Sequence, residues 1–216
     1  DSLGRLDTKC LENYITPDTE AIVMCHASNL TGNVFDIYTT GKICRRKKIK
    51  FIVDAAGTAG LLSIDMQQCG ISALCVSWHK SLYGPQGTGA LCLGADFQPE
   101  PLIVGGSGYD TFSPTHPAML PDALEAGTQN APGIAGLNAG ISYVKSLGDA
   151  IFTGADRLAR LFVKNLRNNR DIQLYGDLNA PLRLPVVALN INGIDSAETA
   201  ALLFENYGIA VRAGAH

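Results

Sequence analysis

The 216-residue chain is 46% hydrophobic and 17% charged, enough apolar material for one substantial core or two unequal ones. A formal net charge of −3 and a sequence pI of about 5.8 give no electrostatic pull toward nucleic acid or an anionic membrane. No apolar stretch approaches a membrane span, no signal-peptide pattern opens the chain, and the six cysteines form no CxxC pair, so a reducing cytoplasm is the expected compartment.

In chain order, Ala21 to Cys25 reads as a strand, followed by a turn around Ser28 to Gly32. Val34 to Lys48 reads as a helix whose last turn holds Arg45, Arg46, Lys47 and Lys48, where cations complement the helix dipole. Phe51 to Val53 and Ile71 to Val76 are the next strands, and Ala90 to Leu93 is a fourth after a Gly-rich turn. Cys25, Cys75 and Cys92 fall inside these apolar runs and read as small buried hydrophobes. Strands separated by helical segments predict an α/β fold: a mainly parallel sheet with helices on both faces.

Asp96 to Glu125 carries five prolines and few periodic apolar residues, an irregular excursion of the length used for function or interfaces. A helix starts at Pro132 and spaces Ile134, Leu137, Ile141 and Val144 along one face until Gly148 interrupts it. A second helix carries Ile151, Leu158, Leu161, Phe162 and Leu166. Beyond Asn168 the pattern becomes strand (Val186 to Ile191), helix (Asp195 to Tyr207, closed by Gly208) and strand (Ile209 to Val211). Asp195 with Glu198 resembles a capping box. The expected division is part of a large, cofactor-binding domain over residues 1–148, then a linking helix and part of a smaller C-terminal α+β domain over 149–216. The opening on Asp1 and the stop straight after a strand-like run lead us to expect an interior piece of a longer polypeptide.

Three polar residues follow three successive predicted strands: Asn29, Asp54 and Lys80. In an open α/β sheet the ligand crevice lies at the carboxyl ends of the strands. Singly, Asn29 reads equally well as a turn residue, and a lone lysine in a turn is ordinarily just solvated. The three together favour a site. Val53 to Thr58 imitates a phosphatase-type loop, but Ala56 stands where the second carboxylate belongs, and no GxxxxGK[ST] occurs anywhere. What remains for Asp54 is a buried carboxylate facing a cationic ring nitrogen, the arrangement that makes pyridoxal 5'-phosphate an electron sink. The Lys80 amine, partly buried, would hold the cofactor aldehyde as an imine, with Ser77 and His79 offering a hydroxyl and an imidazole to its phosphate. Arg45 to Lys48 is better explained as a solvated helix end than as a nucleic-acid patch, and His116 as an exposed loop residue.

Phe51-Ile52-Val53-Asp54-Ala55-Ala56-Gly57-Thr58-Ala59-Gly60 and Ser77-Trp78-His79-Lys80 through Gly89 resemble the class V aminotransferase family, in its cysteine desulfurase branch. His26 to Gly32 and Leu124 to Gly133 match further motifs, and the resemblance runs from Asp1 to His216. It implies a fold-type-I pyridoxal phosphate enzyme, a homodimer with both active sites at the subunit interface. Lys80 then matches the Schiff-base lysine, Asp54 the partner of the pyridine nitrogen, Ser77 and His79 the phosphate ligands, and Asn29 the side chain near the ring hydroxyl. Thr128 matches a residue that reaches the neighbouring subunit's phosphate. Arg212 to His216 resembles the run before the catalytic cysteine of desulfurases, with Arg212 a candidate for substrate. The persulfide-forming cysteine would fall just after His216.

Two departures stand out: Gly57 where the family commonly places Gln, and Trp78 where a small residue is common. The expected function is a desulfurase acting on L-cysteine, a mobile thiol taking the sulfur and alanine leaving, with a sulfur-acceptor protein as partner. Open alternatives are an aminotransferase, a selenocysteine or other β-eliminating lyase, or a non-catalytic homologue or fragment. The chain alone is expected to be inactive.

Overall fold

The computed structural model describes residues 1–108, 110 and 112–214. Three strands, β1 (Ala21–Cys25), β2 (Lys50–Asp54) and β3 (Ala73–Ser77), lie parallel in that order, and β4 (Gly89–Leu93) pairs antiparallel with β3. This is the mainly parallel α/β sheet that the alternation of strands and helices predicts. In register, Cys25 stands beside Asp54 and Asp54 beside Cys75, so the parallel strands finish on one edge.

Pleating divides the strand residues between two faces. Ile22, Met24, Phe51, Val53, Leu74 and Val76 share the face packed against helix α1 (Ile37–Lys47), where Ile37 and Cys44 complete the core with Cys69 and Ile71. Phe51, Val53 and Cys44 are fully buried, each large apolar side chain contributing roughly 1.5–3 kcal/mol. Helix α1 begins later than the apolar pattern implies because Val34 is drawn into a bridge with Ala27, and Asp36 then caps the helix through Thr39 N at 2.9 Å. Gly41 sits where a Cβ would fall 1.6 Å from the Cys69 carbonyl oxygen, so only glycine lets α1 approach this closely. The helix end is exposed and braced: Arg46 pairs with Glu12, and Arg45 donates to the Gln67 carbonyl at 2.6 Å. The other sheet face keeps Val23 and Leu91 exposed. The buried cysteines are therefore Cys44 and Cys69, whereas Cys25 and Cys92 are exposed and Cys75 is half-buried. Edge position and the uncovered face override the apolar run.

Residues 96–121 hold no helix or strand among those described, and the short 3-10 helix Asp122–Leu124 follows. Leu102 and Phe112 there are 97% and 96% exposed. His116 is half-buried, bonded to the Ala123 carbonyl at 3.1 Å, rather than free in a loop. Helix α2 (Ala131–Leu147) is capped by Asn130, which accepts from Gly133 N at 3.0 Å, and Gly148 ends it; α3 (Ala150–Leu166) follows.

The remainder is a two-stranded antiparallel sheet of β5 (Ile172–Tyr175) and β6 (Ala188–Ile191), then α4 (Ser196–Tyr207), with Asp195 accepting from Ala197 N at 2.8 Å and Gly208 closing the helix at φ +64°. Strand β5 is absent from the sequence reading, and the strand expected at Ile209 to Val211 does not form, since that stretch finds no pairing strand among the described residues. No helix among the described residues is long and apolar enough to cross a membrane.

Candidate active site

Asp54 ends β2 and Ser77 ends the adjacent β3. Asp54 is level with Cys75, and Ser77 lies two residues further on the same face, which puts the two Cα atoms roughly 8 Å apart. Lys80 follows in the turn after β3, and Asn29 in the turn after β1. The structure thus brings Asn29, Asp54, Ser77, His79 and Lys80 to the same end of the sheet. Asp54 and Lys80 are both exposed, unlike the buried pair expected, because the described residues leave their sheet face largely open.

The Asp54 backbone is fixed from both sides: its carbonyl accepts from His26 N at 2.8 Å, and Ala55 N donates to the Cys75 carbonyl at 2.9 Å. Its Oδ1 accepts from Ala56 N at 2.8 Å, while Oδ2 has only a long 3.9 Å contact from the Cys25 thiol. One carboxylate oxygen is pinned and the other is left for a donor. Behind it, buried His26 pairs through Nδ1 with the Thr58 hydroxyl at 2.9 Å, and burial pushes the imidazole below its ordinary pKa, keeping it neutral. This strut was not read from the sequence, although the paired motifs around His26 and Thr58 contain it.

Across the strand boundary the Ser77 hydroxyl and His79 Nδ1 lie 3.1 Å apart. Among the described residues the Lys80 ammonium has neither a hydrogen bond nor an ion pair, and it is exposed to water. Its turn is clamped. A Cβ at Gly60 would fall 2.5 Å from the Ser81 carbonyl oxygen, and one at Gly140 would fall 2.4 Å from that of Leu82. A Cβ at Gly136 would fall 2.8 Å from the Pro85 ring, so the α2 glycines at 136 and 140 let the lysine turn lie close, whereas one at Gly133 would first meet the Asn130 cap at 2.5 Å. The sequence reading placed Ile134, Leu137, Ile141 and Val144 on one face of this helix and did not single out these glycines. Tyr83, in the left-handed region at φ +56°, packs edge-on against Tyr143 at 5.4 Å. Trp78 is accommodated by Gly84, where a Cβ would come within 3.0 Å of it.

Asn29 is exposed in a turn held by Ser28, whose hydroxyl accepts from Leu30 N at 3.3 Å and Thr31 N at 3.1 Å. Thr128 is exposed in the segment leading into α2, and Arg212 lies in the extended stretch beyond α4. Ala215 and His216 of the Arg212 run lie outside the described residues. At Gly57 an added Cβ would meet only Leu184, at an ordinary 3.5 Å, so the glycine is not sterically required. The uncommitted carboxylate oxygen, the hydroxyl–imidazole pair and the unpaired amine fit the ring nitrogen, phosphate and aldehyde of pyridoxal phosphate.

The family model for class-V aminotransferases matches residues 1–216. The chain belongs to that family. Similar relatives include a probable cysteine desulfurase of Methanothermobacter thermautotrophicus, 31% identical over all of this chain and 55% of the relative. A cysteine desulfurase of Salmonella agona is 35% identical over 99% of this chain and 53% of the relative. Among solved structures, a cysteine desulfurase from Thermococcus onnurineus superposes with a TM-score of 0.87 at 29% identity, covering 98% of this chain and 54% of that one. The chain spans about half the length of the curated relatives it matches.

Proposed function

We propose that this class-V aminotransferase family member is a pyridoxal phosphate-dependent enzyme of the cysteine desulfurase type, acting on L-cysteine or a related amino acid. The supporting observation is the cluster at one sheet edge: Asp54 with an uncommitted Oδ2, the Ser77–His79 pair, and the unpaired Lys80 amine on a clamped turn. The names of the relatives support the substrate class, and the activity proposed is that of the whole protein.

When bound, pyridoxal phosphate supplies an aldehyde that captures amines and a ring that withdraws electrons from the substrate α-carbon. Lys80 would be the catalytic residue: its Nζ would hold the aldehyde end of the cofactor and, once free, would move the proton at the substrate α-carbon. Asp54 Oδ2 would keep the ring nitrogen protonated, Ser77 and His79 would bind the phosphate, and Asn29 would orient the ring at its hydroxyl. Thr128 reaches the phosphate of the neighbouring subunit in a homodimer, and Arg212 binds the substrate. The exposed Leu102 and Phe112 support an interface along the 96–125 excursion. A division at 1–148 and 149–216, a cytoplasmic setting and a sulfur-acceptor protein belong to the same reading. With Asp54 and Lys80 both open to water, the 216-residue chain alone is proposed to bind cofactor weakly and not turn over.

The test takes two samples of the full-length protein reconstituted with pyridoxal phosphate: one is reduced with borohydride and mapped by peptide mass, and the other, unreduced, is assayed for alanine release from L-cysteine. The expected label sits on Lys80 and is lost in Lys80→Ala together with turnover. A label of equal yield in Lys80→Ala would overturn the assignment.

A further inference from the structure

A cavity of about 250 Å³ lies away from the lysine turn, between α3 and the segment 178–183. Arg160 and Lys164 on α3 and Arg167 at its C-cap recur at intervals of four and three, and so present their cations from one side of the helix. Arg183 closes the opposite wall at 1% exposure. Among the described residues no carboxylate lines the cavity.

Neutral acceptors orient three of these groups, and among the described residues Lys164 and Arg167 have no acid partner. Arg160 Nη2 donates to the Pro181 carbonyl at 3.1 Å and Arg167 Nη2 to Asn179 Oδ1 at 3.1 Å. Lys164 has no hydrogen-bond or ion-pair partner among the described residues. Arg183 Nη2 donates to the Thr31 and Val186 carbonyls, both at 2.8 Å, and its Nε is buried with no partner. Two acids lie nearby. Asp156 Oδ2 accepts from Arg160 Nε at 2.7 Å while its Oδ1 is buried and unpartnered, and Asp177 lies 3.7 Å from Arg5. Burial first and the Arg160 charge second push Arg183 below its ordinary range, against the pull of Asp156 and Asp177.

We propose that Arg160, Lys164, Arg167 and Arg183 form a binding site for a small phosphate-bearing anion, distinct from the Ser77–Lys80 cluster. Guanidinium groups held in fixed orientation by backbone and amide acceptors are preorganised to grip phosphate oxygens through charge-assisted hydrogen bonds. The volume admits an inorganic phosphate, a pyrophosphate or the phosphate end of a small ester. The site does not depend on the desulfurase reading.

The probe is pyrophosphate, titrated calorimetrically into the chain at fixed ionic strength, with sodium chloride as the control. Saturable binding is expected, weakened about ten-fold by each of Lys164→Ala and Arg167→Ala, which remove a charged partner at exposed positions and leave the circular dichroism unchanged. Ser77→Ala should leave binding intact. The proposal is overturned if no saturable heat appears up to about 10 mM pyrophosphate, if neither α3 variant changes the affinity, or if Ser77→Ala alone abolishes it.

Discussion

Residues 21–94 and residues 150–208 are held together by different means. The first region folds around Phe51, Val53, Cys44 and Leu74, an apolar core directly behind the strand ends that carry Asp54 and Ser77. In the second, only Val163 and Leu184 are buried apolar residues among those described, and α4 buries none. Polar bonds join the second region to the first. Leu184 N donates to the Gly32 carbonyl at 2.7 Å, Asp177 N to Asn33 Oδ1 at 2.9 Å, and Arg183 to the Thr31 carbonyl. The contrast separates a rigid platform for chemistry from a region whose docking depends on a few hydrogen bonds.

The sharpest way to break this contrast is a matched pair of aromatic truncations. Phe51→Ala should cost about 3–5 kcal/mol in urea unfolding, whereas Phe204→Ala, 63% exposed on α4, should stay within about 0.5 kcal/mol. Equal costs would show that the second region carries a core of its own. Next in size, Arg183→Leu strands the Thr31 and Val186 carbonyls and should destabilise by about 2 kcal/mol. Amide exchange should then accelerate across 176–208 more than across 50–77.

Gly140→Ala sharpens the other side. Its methyl group would collide with the Leu82 carbonyl, so we expect about 1–3 kcal/mol lost and a displaced lysine turn. Borohydride labelling of Lys80 should fall even where the fold survives. Gly57→Ala, facing only Leu184 at 3.5 Å, is the tolerated control.

The smallest effect is a pH dependence. The folded pKa of His26 lies below its unfolded value, so the unfolded chain binds the proton first on acidification. Its contribution to stability is complete above about pH 6.5 and is lost as the pH falls below that value toward the folded pKa. The urea midpoint should drop between pH 7.5 and 5.5, and His26→Gln should flatten that slope.

Much of the platform was legible in the sequence because its signals are local. Alternating or continuous apolar runs mark β1 to β4, and polar residues placed just after three of them mark Asn29, Asp54 and Lys80. What escaped depends on partners far along the chain. Strand β5 is short and gains its identity only by pairing with β6, and Ile209 to Val211 looks like a strand yet lacks a neighbour. Arg183, flanked by leucines, carries no local sign of its burial, because one of the carbonyls it bonds belongs to a turn some 150 residues earlier. The openness around Asp54 and Lys80 was likewise unreadable, since it depends on which elements cover a face.

The turn from Ser28 to Gly32 serves two masters. It presents Asn29 to the candidate cofactor end of the sheet, and through Thr31 and Gly32 it is the quay to which the 183–186 segment is moored. Any tug on the tail is therefore felt two residues from Asn29.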